Sequence, residues 1–207
     1  MKVALVSPLP PSVSGIADYT IDVAQALRGR HEVELFCDQA ETSTSAFTAL
    51  PISELGVRPH DAVIYQMGNG PAHDFMYEWI ERIPGIVVLH DLVLHHSFAR
   101  RFLESAEARA YAGDPSDAGK RRRAEEQHAR YEAAIESVYP GEGARLAAAY
   151  LNSSGDLLPY AFPLFEPVLS KALAVGVHNS FMIDAVRSKL PGAVSYTHLT
   201  LPTILRV

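Results

Sequence analysis

The sequence has few cysteines, no excess of positive charge and no long apolar run. Its single cysteine, Cys37, excludes an internal disulfide and a four-cysteine metal site. Its 18 Lys and Arg are outnumbered by 24 Asp and Glu, and the resulting net charge of −6 argues against a general electrostatic grip on nucleic acid. No apolar run approaches the roughly 20 residues of a membrane-spanning helix, and the first residues lack the pattern of a signal peptide. We therefore expect a cytoplasmic protein, with at most a peripheral contact at the inner membrane face.

What the sequence does contain is an alternation of strand-like and helix-like segments. Hydrophobic residues make up 48% and charged residues 20%, close to the globular average. Lys2–Ser7, His31–Asp38, Asp61–Met67 and Ile86–Leu89 have the apolar or alternating patterns of strands, and Ile16–Leu27 has apolar residues at helical spacing. This order predicts an α/β fold, with a Rossmann-like parallel sheet and helices on both of its faces.

The rhythm changes after the strand that ends at Leu89. From about 92 to 166 the pattern is helical only, which predicts an all-helical insertion. A strand at Ala172–Val177 and a helix at Ser180–Leu190 then return to the alternating pattern. We expect one domain over residues 1–193 that contains this insertion.

The last residues have a different origin in our interpretation. Val194–Thr203 is what the codons GTC TCT TAT ACA CAT CTG ACG CTG CCG ACG encode, a string that resembles a transposon-end adapter of sequencing libraries. We therefore expect residues 194–207 to be a non-native tail and the natural gene to continue differently; such segments are left out of fold reasoning.

The loop from Ser7 to Gly15 precedes a predicted helix, whose N-terminal amides could receive a phosphate. It has one glycine, Gly15, and so lacks the three of the dinucleotide fingerprint, and no Gly-Lys-Ser/Thr of a phosphate-binding P-loop occurs in the chain. A dehydrogenase is therefore disfavoured. A plain tight turn remains an equally good interpretation of this loop taken alone.

The densest polar cluster follows the strand that ends at Leu89, and it contains His90, Asp91, His95 and His96. A histidine at a strand tip can hydrogen-bond a hydroxyl or phosphate, and a neighbouring Asp can fix its tautomer. The cluster also allows a metal-dependent hydrolase. Against a metal, the other candidate histidines stand alone in the sequence; they are His73 and His178. For His95 and His96, packing on a helix is the simpler interpretation.

Two further segments carry polar side chains. The loop Gln66–His73 follows an apolar strand, and its amides, among them Asn69, suit hydroxyl-rich ligands because each amide offers donors and acceptors. The basic run Lys120–Arg123 could touch anionic lipid weakly, but nearby glutamates favour a solvated helix face.

Several of these segments together resemble the N-terminal half of a bacterial family-4 glycosyltransferase. The resemblance rests on four motifs that occur in order over residues 2–193: SPLPPSVSGIADYT at Ser7–Thr20, YQMGN with HDFMY at 65–77, PGIVVLHD with LHH at 84–96, and VHNS at 177–180. Each motif alone is weak; their order and their positions at predicted strand ends make the set fairly specific.

The resemblance implies a GT-B architecture, in which two Rossmann-like domains face each other across a cleft. It implies retaining transfer of a sugar from a nucleotide-sugar to an acceptor hydroxyl on a saccharide or lipid-linked saccharide, without a metal or other cofactor. Carried onto this chain, it places Ser14, Gly15 and Ile16 beside the donor diphosphate or the acceptor, His90 as the catalytic residue on the transferred sugar, and Asn69 and Asp91 on the acceptor side.

The family's C-terminal domain, which carries most nucleotide contacts, has no counterpart in this sequence. We therefore expect the 207-residue chain to be inactive alone and to need that domain as its partner. Two alternatives stay open at this point: the metal-dependent hydrolase, and a non-catalytic α/β nucleotide-binding module.

Overall fold

The computed structural model describes residues 1–40, 42, 47–151 and 157–191. The chain forms two compact units: a sheet unit, made of Met1–Asp91 and the segment that begins at Val168, and a helical unit, Leu92–Pro167. The tail expected from Val194 onward lies outside the described residues.

The sheet unit is built on six parallel strands, which confirms the predicted α/β fold. Their order is β3-β2-β1-β4-β5-β6, the order of the doubly wound, Rossmann-like sheet. The strands are β1 Lys2–Val6, β2 Glu32–Cys37, β3 Ala49–Pro51, β4 Ala62–Met67, β5 Ile86–Leu89 and β6 Ala174–Val177.

The central strand β1 is apolar along its length because neighbouring strands and helices cover it. Ala4, Leu5 and Val6 are fully buried. Leu5 is paired with Leu35 of β2 on one side and with Ile64 of β4 on the other. A continuous apolar run is typical of a parallel strand buried on both faces.

Helices flank the sheet and make up the other unit. In the sheet unit they are α1 Gly15–Arg28, α2 Met76–Arg82 and α9 Ser180–Lys189. The helical unit contains α3 His95–Leu103, α4 Ala106–Gly113, α5 Ala118–Val138, α6 Gly143–Leu151 and α7 Leu158–Ala161, and the short α8 Glu166–Leu169 spans the division.

Helix α1 begins where the sequence supplies a cap. The Ser14 side chain accepts a hydrogen bond from the backbone N–H of Ile16 at 3.3 Å, which satisfies a donor that has no partner within the helix. Ala17, Thr20 and Ala24, spaced three and four residues apart, form the buried face of the helix. On this face Oγ1 of Thr20 lies 2.7 Å from Oγ of Ser7, which directly follows β1, and this contact holds α1 beside the carboxyl end of the strand.

Two local features differ from the sequence pattern. The apolar residues Phe75, Trp79, Ile80 and Ile83 predict a helix over residues 72–83, but the chain forms a 3₁₀ turn at Pro71–His73 and begins α2 only at Met76. Phe75, the residue before α2, makes no side-chain capping hydrogen bond. Strand β3 was missed because its three residues are too few to show a period.

Candidate functional site

The sheet reverses its winding direction between β1 and β4, and ligands of such sheets bind outside the carboxyl ends of the strands at this point. The loop after β1 leads to Gly15, and the loop after β4 contains Gly68 and Asn69. Because β5 and β6 continue the sheet in parallel, His90 and His178, which follow them directly, belong to the same edge. We call this edge of the sheet unit the carboxyl edge.

Side-chain packing joins the start of α1 to the end of β4. A Cβ added to Gly68 would lie 2.5 Å from Cδ1 of Ile16 and 3.0 Å from Nε2 of His73. Only a glycine therefore allows the Ile16 side chain to approach the backbone after β4 this closely. The contact brings the predicted residues Ser14, Gly15 and Ile16 to the carboxyl edge.

Gly15 itself is exposed and is not required by packing. A Cβ added there would meet no atom within 4 Å in the described part of the protein. Neither a close contact nor a left-handed backbone conformation therefore requires a glycine at position 15. The open space beside it leaves room for a ligand to approach the first turn of α1.

The loop between β1 and α1 is held in place by polar contacts. The backbone N–H of Leu9 donates to Oε1 of Gln39 at 2.6 Å, and Nε2 of Gln39 donates back to the Leu9 carbonyl at 2.8 Å. Oγ1 of Thr20 lies 2.7 Å from Oγ of Ser7 and from the Ile16 carbonyl oxygen. The loop is thus fixed at both ends.

Asp91 connects two loops of the carboxyl edge. Its Oδ2 accepts a hydrogen bond of 2.8 Å from the backbone N–H of Asn69. The carboxylate of Asp91 is therefore an acceptor that holds the loop after β4 against the loop after β5. Both residues lie at the carboxyl edge.

A chain of hydrogen bonds runs through three side chains at this edge. Nε2 of His90 lies 2.7 Å from Oε1 of Gln66, which is 1% exposed. Nδ1 of His90 lies 3.1 Å from Nε2 of His178. We call Gln66, His90 and His178 the histidine chain.

The acceptor oxygen of Gln66 sets the direction of these hydrogen bonds. Because Oε1 can only accept, Nε2 of His90 carries a proton and Nδ1 has the lone pair of a neutral ring. Nε2–H of His178 then donates to that lone pair. Burial, together with repulsion by His178 and His73, lowers the pKa of His90 to about 3, so the ring is neutral at pH 7. Burial lowers the pKa of His178 as well.

Tyr19 packs against both imidazole rings. Its ring centroid is 5.0 Å from that of His90 and 5.4 Å from that of His178, both in edge-to-face geometry. Its phenol oxygen is buried and has no hydrogen-bond partner among the described residues, and burial raises the pKa of the phenol. Sequence reasoning assigned no role to Tyr19, although it lies one helical turn after Gly15 and so shares a face of α1 with it.

Two histidines that stand alone in the sequence are not isolated in the fold. His178 belongs to the histidine chain, and Nδ1–H of the buried His73 donates to the backbone carbonyl of Gln66 at 3.1 Å. The order of the strands brings His178 to His90, which is far away in the sequence, whereas His73 contacts the end of the strand before its own loop.

The histidines of the helical unit have structural partners. Nδ1–H of the fully buried His95 donates to the Phe162 carbonyl at 2.6 Å, so its Nε2 accepts the hydroxyl hydrogen of Tyr131. His95 also stacks on Tyr150, at 5.2 Å between ring centroids, and Nδ1 of His96 lies 3.3 Å from the Tyr150 hydroxyl. Both nitrogens of His95 are thus occupied by protein atoms.

The metal interpretation gains no support from this arrangement. Across residues 1–40, 42, 47–151 and 157–191, no group of three or more His, Cys, Asp or Glu side chains is placed to hold a metal ion. Of the four residues proposed for a hydrolase, His90 and Asp91 belong to the sheet unit, while His95 and His96 belong to the helical unit.

The basic run Lys120–Arg123 lies in the first turns of α5, where neighbouring acids pair with it. Lys120 contacts Asp114 at 3.0 Å, and Arg121 contacts Glu125 at 2.8 Å. Such exposed pairs are typical of a solvated helix face. Within the described residues, no helix is both long and apolar enough to cross a membrane.

Comparisons with known proteins identify no relative of this chain: no protein-family model, curated protein or solved structure matches it.

Proposed function

We propose that the sheet unit belongs to the acceptor-side domain of a retaining, nucleotide-sugar-dependent glycosyltransferase, which transfers a sugar to an acceptor hydroxyl. The proposal combines the motif resemblance with the geometry of the carboxyl edge. Each of the four motifs includes residues of this edge, and contacts within the edge link Ile16 to Gly68, Asn69 to Asp91 and His90 to His178.

The observation that carries the proposal is the histidine chain at the edge where the sheet reverses its winding. Neutral imidazoles offer hydrogen-bond donors and acceptors without a fixed charge, and hydroxyl-rich ligands need both. In the proposed reaction, these side chains orient the sugar and stabilise charge as the glycosidic bond loosens. Preorganised hydrogen-bonding groups lower a barrier in this way without a protein nucleophile.

Gly15 and the first turn of α1 supply the second part of the proposed site. The exposed amides at the start of a helix favour an anion, and the space beside Gly15 admits the diphosphate of a donor or a group of the acceptor. Asp91 keeps the two adjoining loops together. No metal is required by this proposal, in which the bound groups are oriented by hydrogen bonds alone.

The test uses the complete coding sequence, read directly from genomic DNA across codon 193, because the tail resembles an adapter. The full protein is assayed for consumption of UDP-, GDP- and ADP-sugars with saccharide and lipid-linked saccharide acceptors. We expect turnover with one donor class and about a 10²-fold loss of kcat in His90→Ala. His128→Ala, on α5, is the matched control and should retain wild-type kcat.

Two outcomes would overturn the proposal: absence of turnover with all donors, and an unchanged kcat in His90→Ala. Turnover at a normal rate of about 1 to 10³ per second by the 207-residue chain alone would overturn the expectation that this chain is inactive without a second domain. Tight nucleotide binding by that chain alone would favour the α/β binding module. Stoichiometric zinc or manganese, lost in His90→Ala, would favour the hydrolase.

A further inference from the structure

We infer that His178, and not His90, contacts a hydroxyl group of the bound sugar or acceptor, while Gln66 and His90 are positioning residues that fix the protonation of its ring. The inference rests on the proposed function and assigns a residue that the motif resemblance leaves without a role.

Both ring nitrogens of His90 are already used. Nε2–H donates to Gln66 at 2.7 Å, and Nδ1 accepts from His178 at 3.1 Å. A hydroxyl could bind His90 only by displacing one of these partners. His90 is therefore suited to orient a neighbour.

His178 is the end of the hydrogen-bond chain that faces solvent. His178 is exposed to solvent, whereas His90 is partly buried and Gln66 is 1% exposed. It follows β6 directly and precedes Asn179, whose side chain caps α9 by accepting a hydrogen bond from Met182 at 2.9 Å. The backbone that carries His178 is thus held between a strand and a capped helix.

The hydrogen bonds determine which nitrogen His178 presents. Because Nε2–H donates to His90, the neutral ring carries its lone pair on Nδ1. Nδ1 makes no hydrogen bond within the described part of the chain. Tyr19 holds the ring edge-to-face and adds a buried phenol oxygen without a partner in that same part of the chain.

A lone pair on nitrogen selects the chemistry of its ligand. It accepts a hydrogen bond from an O–H group and repels the oxygens of a phosphate, which has no proton to offer when it is fully ionised. The geometry therefore points to a sugar or acceptor hydroxyl at His178, and not to the diphosphate of the donor.

The first experiment measures the tautomers directly in the 207-residue chain. Histidine labelled with ¹⁵N in the ring gives the protonated nitrogen of each imidazole by NMR, and His90→Gln and His178→Gln assign the signals. We expect both His90 and His178 to carry the proton on Nε2. Gln66→Leu, which removes the acceptor oxygen, should abolish this pattern. A proton on Nδ1 of either wild-type ring overturns the inference, even if Gln66→Leu fails to fold.

The second experiment tests the contact itself. D-glucose, D-mannose, D-galactose and N-acetylglucosamine are titrated into the labelled chain, with dimethyl phosphate, an ionised phosphate that has no O–H group, as the contrasting probe. We expect at least one sugar to shift the Nδ1 signal of His178 more than any signal of His90, and dimethyl phosphate not to do so. A shift caused by dimethyl phosphate alone, a larger shift at His90, or no shift with any sugar contradicts the assignment.

The third experiment separates this inference from the proposed function. In the complete enzyme, His178→Ala should lower kcat/KM at least as far as His90→Ala does, and His178→Asn should restore part of the loss because its amide oxygen can accept a hydroxyl hydrogen. Activity with a normal kcat/KM in His178→Ala overturns the inference but leaves the proposed transferase intact. Absence of any turnover refutes the transferase, while the tautomer measurement still reports on the histidine chain.

Discussion

Nε2–H of His90 donates a 2.7 Å hydrogen bond to Oε1 of Gln66, a side chain that is almost fully buried on the neighbouring strand. The two residues lie at adjacent strand ends, with Gln66 near the end of β4 and His90 directly after β5. The amide oxygen in this position fixes the orientation and the tautomer of the imidazole, which burial keeps neutral. The stability of the carboxyl edge and the direction of its hydrogen bonds therefore depend on the same contact.

Replacing Gln66 by Leu should destabilise the sheet unit. The change removes the acceptor but leaves a buried N–H of His90, and an unsatisfied buried donor costs about 1–3 kcal/mol. Urea denaturation of the 207-residue chain measures the loss. Gln25→Leu, on the exposed side of α1, is the matched control and should change stability by less than about 0.5 kcal/mol. Equal stabilities of the two variants would show that the His90 contact contributes nothing.

Stability should fall as the pH drops below about 6.5. An unfolded histidine titrates near 6.5, whereas burial lowers the pKa of His90 to about 3. Between these values the unfolded chain binds a proton that the folded chain does not, which removes up to about 1.4 kcal/mol per pH unit for this imidazole. His178, His73 and Tyr19 are the titratable groups that face the His90 ring. Burial also lowers the pKa values of His178 and His95, which act in the same direction.

Thermal unfolding between pH 7.5 and pH 4.5, compared between wild type and His90→Gln, tests this origin of the pH dependence. The variant should show a shallower decrease in Tm because it lacks the buried imidazole. His128→Gln, on α5, should keep the wild-type slope. Identical slopes for wild type and His90→Gln would assign the pH dependence to other groups.

Gly15 and Gly68 should respond differently to alanine. At Gly15 a Cβ meets no described atom within 4 Å, so Gly15→Ala should fold with wild-type stability or slightly better. At Gly68 the Cβ would be 2.5 Å from Cδ1 of Ile16 and 3.0 Å from the ring of His73, which is held by its hydrogen bond to the Gln66 carbonyl, and we expect a loss of about 1–3 kcal/mol. In the complete enzyme, Gly15→Ala should nevertheless reduce kcat/KM, because the methyl group enters the space assigned to a ligand. A variant that is both stable and fully active would remove Gly15 from the proposed site.

The sequence predicted the strands that position the site, but it did not predict the hydrogen bonds among the site's side chains. Apolar runs at Ile86–Leu89 and Asp61–Met67 marked two strands whose observed bounds match within a residue, and parallel strands bring their carboxyl ends to one edge. The sequence could not show that His178 contacts His90, because the helical unit, Leu92–Pro167, separates the two histidines along the chain. Only the pairing of β5 with β6 reveals the relationship: Leu89 lies opposite Val177, and the two histidines that follow are therefore neighbours.

Local irregularities explain the other differences. Strand β3, Ala49–Pro51, has too few residues to show alternation, and it follows a segment that is described only in part. Tyr19 has the spacing of an ordinary helix residue. What distinguishes it is its packing against the rings of His90 and His178. That information depends on side-chain packing between elements, which hydrophobic periodicity does not carry.

The buried histidine of the helical unit allows a test that should spare the proposed site. Tyr131 is fully buried, and its hydroxyl hydrogen bonds to Nε2 of His95, whose Nδ1–H is held by the Phe162 carbonyl. Tyr131→Phe keeps the ring but leaves a buried acceptor on His95, so we expect a loss of about 1–3 kcal/mol in the free energy of unfolding. Tyr160→Phe, at a position that is 66% exposed, removes a hydroxyl that water replaces and should be neutral. Because His95 acts structurally in this interpretation, the ¹⁵N signals of His90 and His178 should be the same in Tyr131→Phe and wild type. A change in those signals would show that the His95 network influences the carboxyl edge, and the purely structural role assigned to it would have to be abandoned.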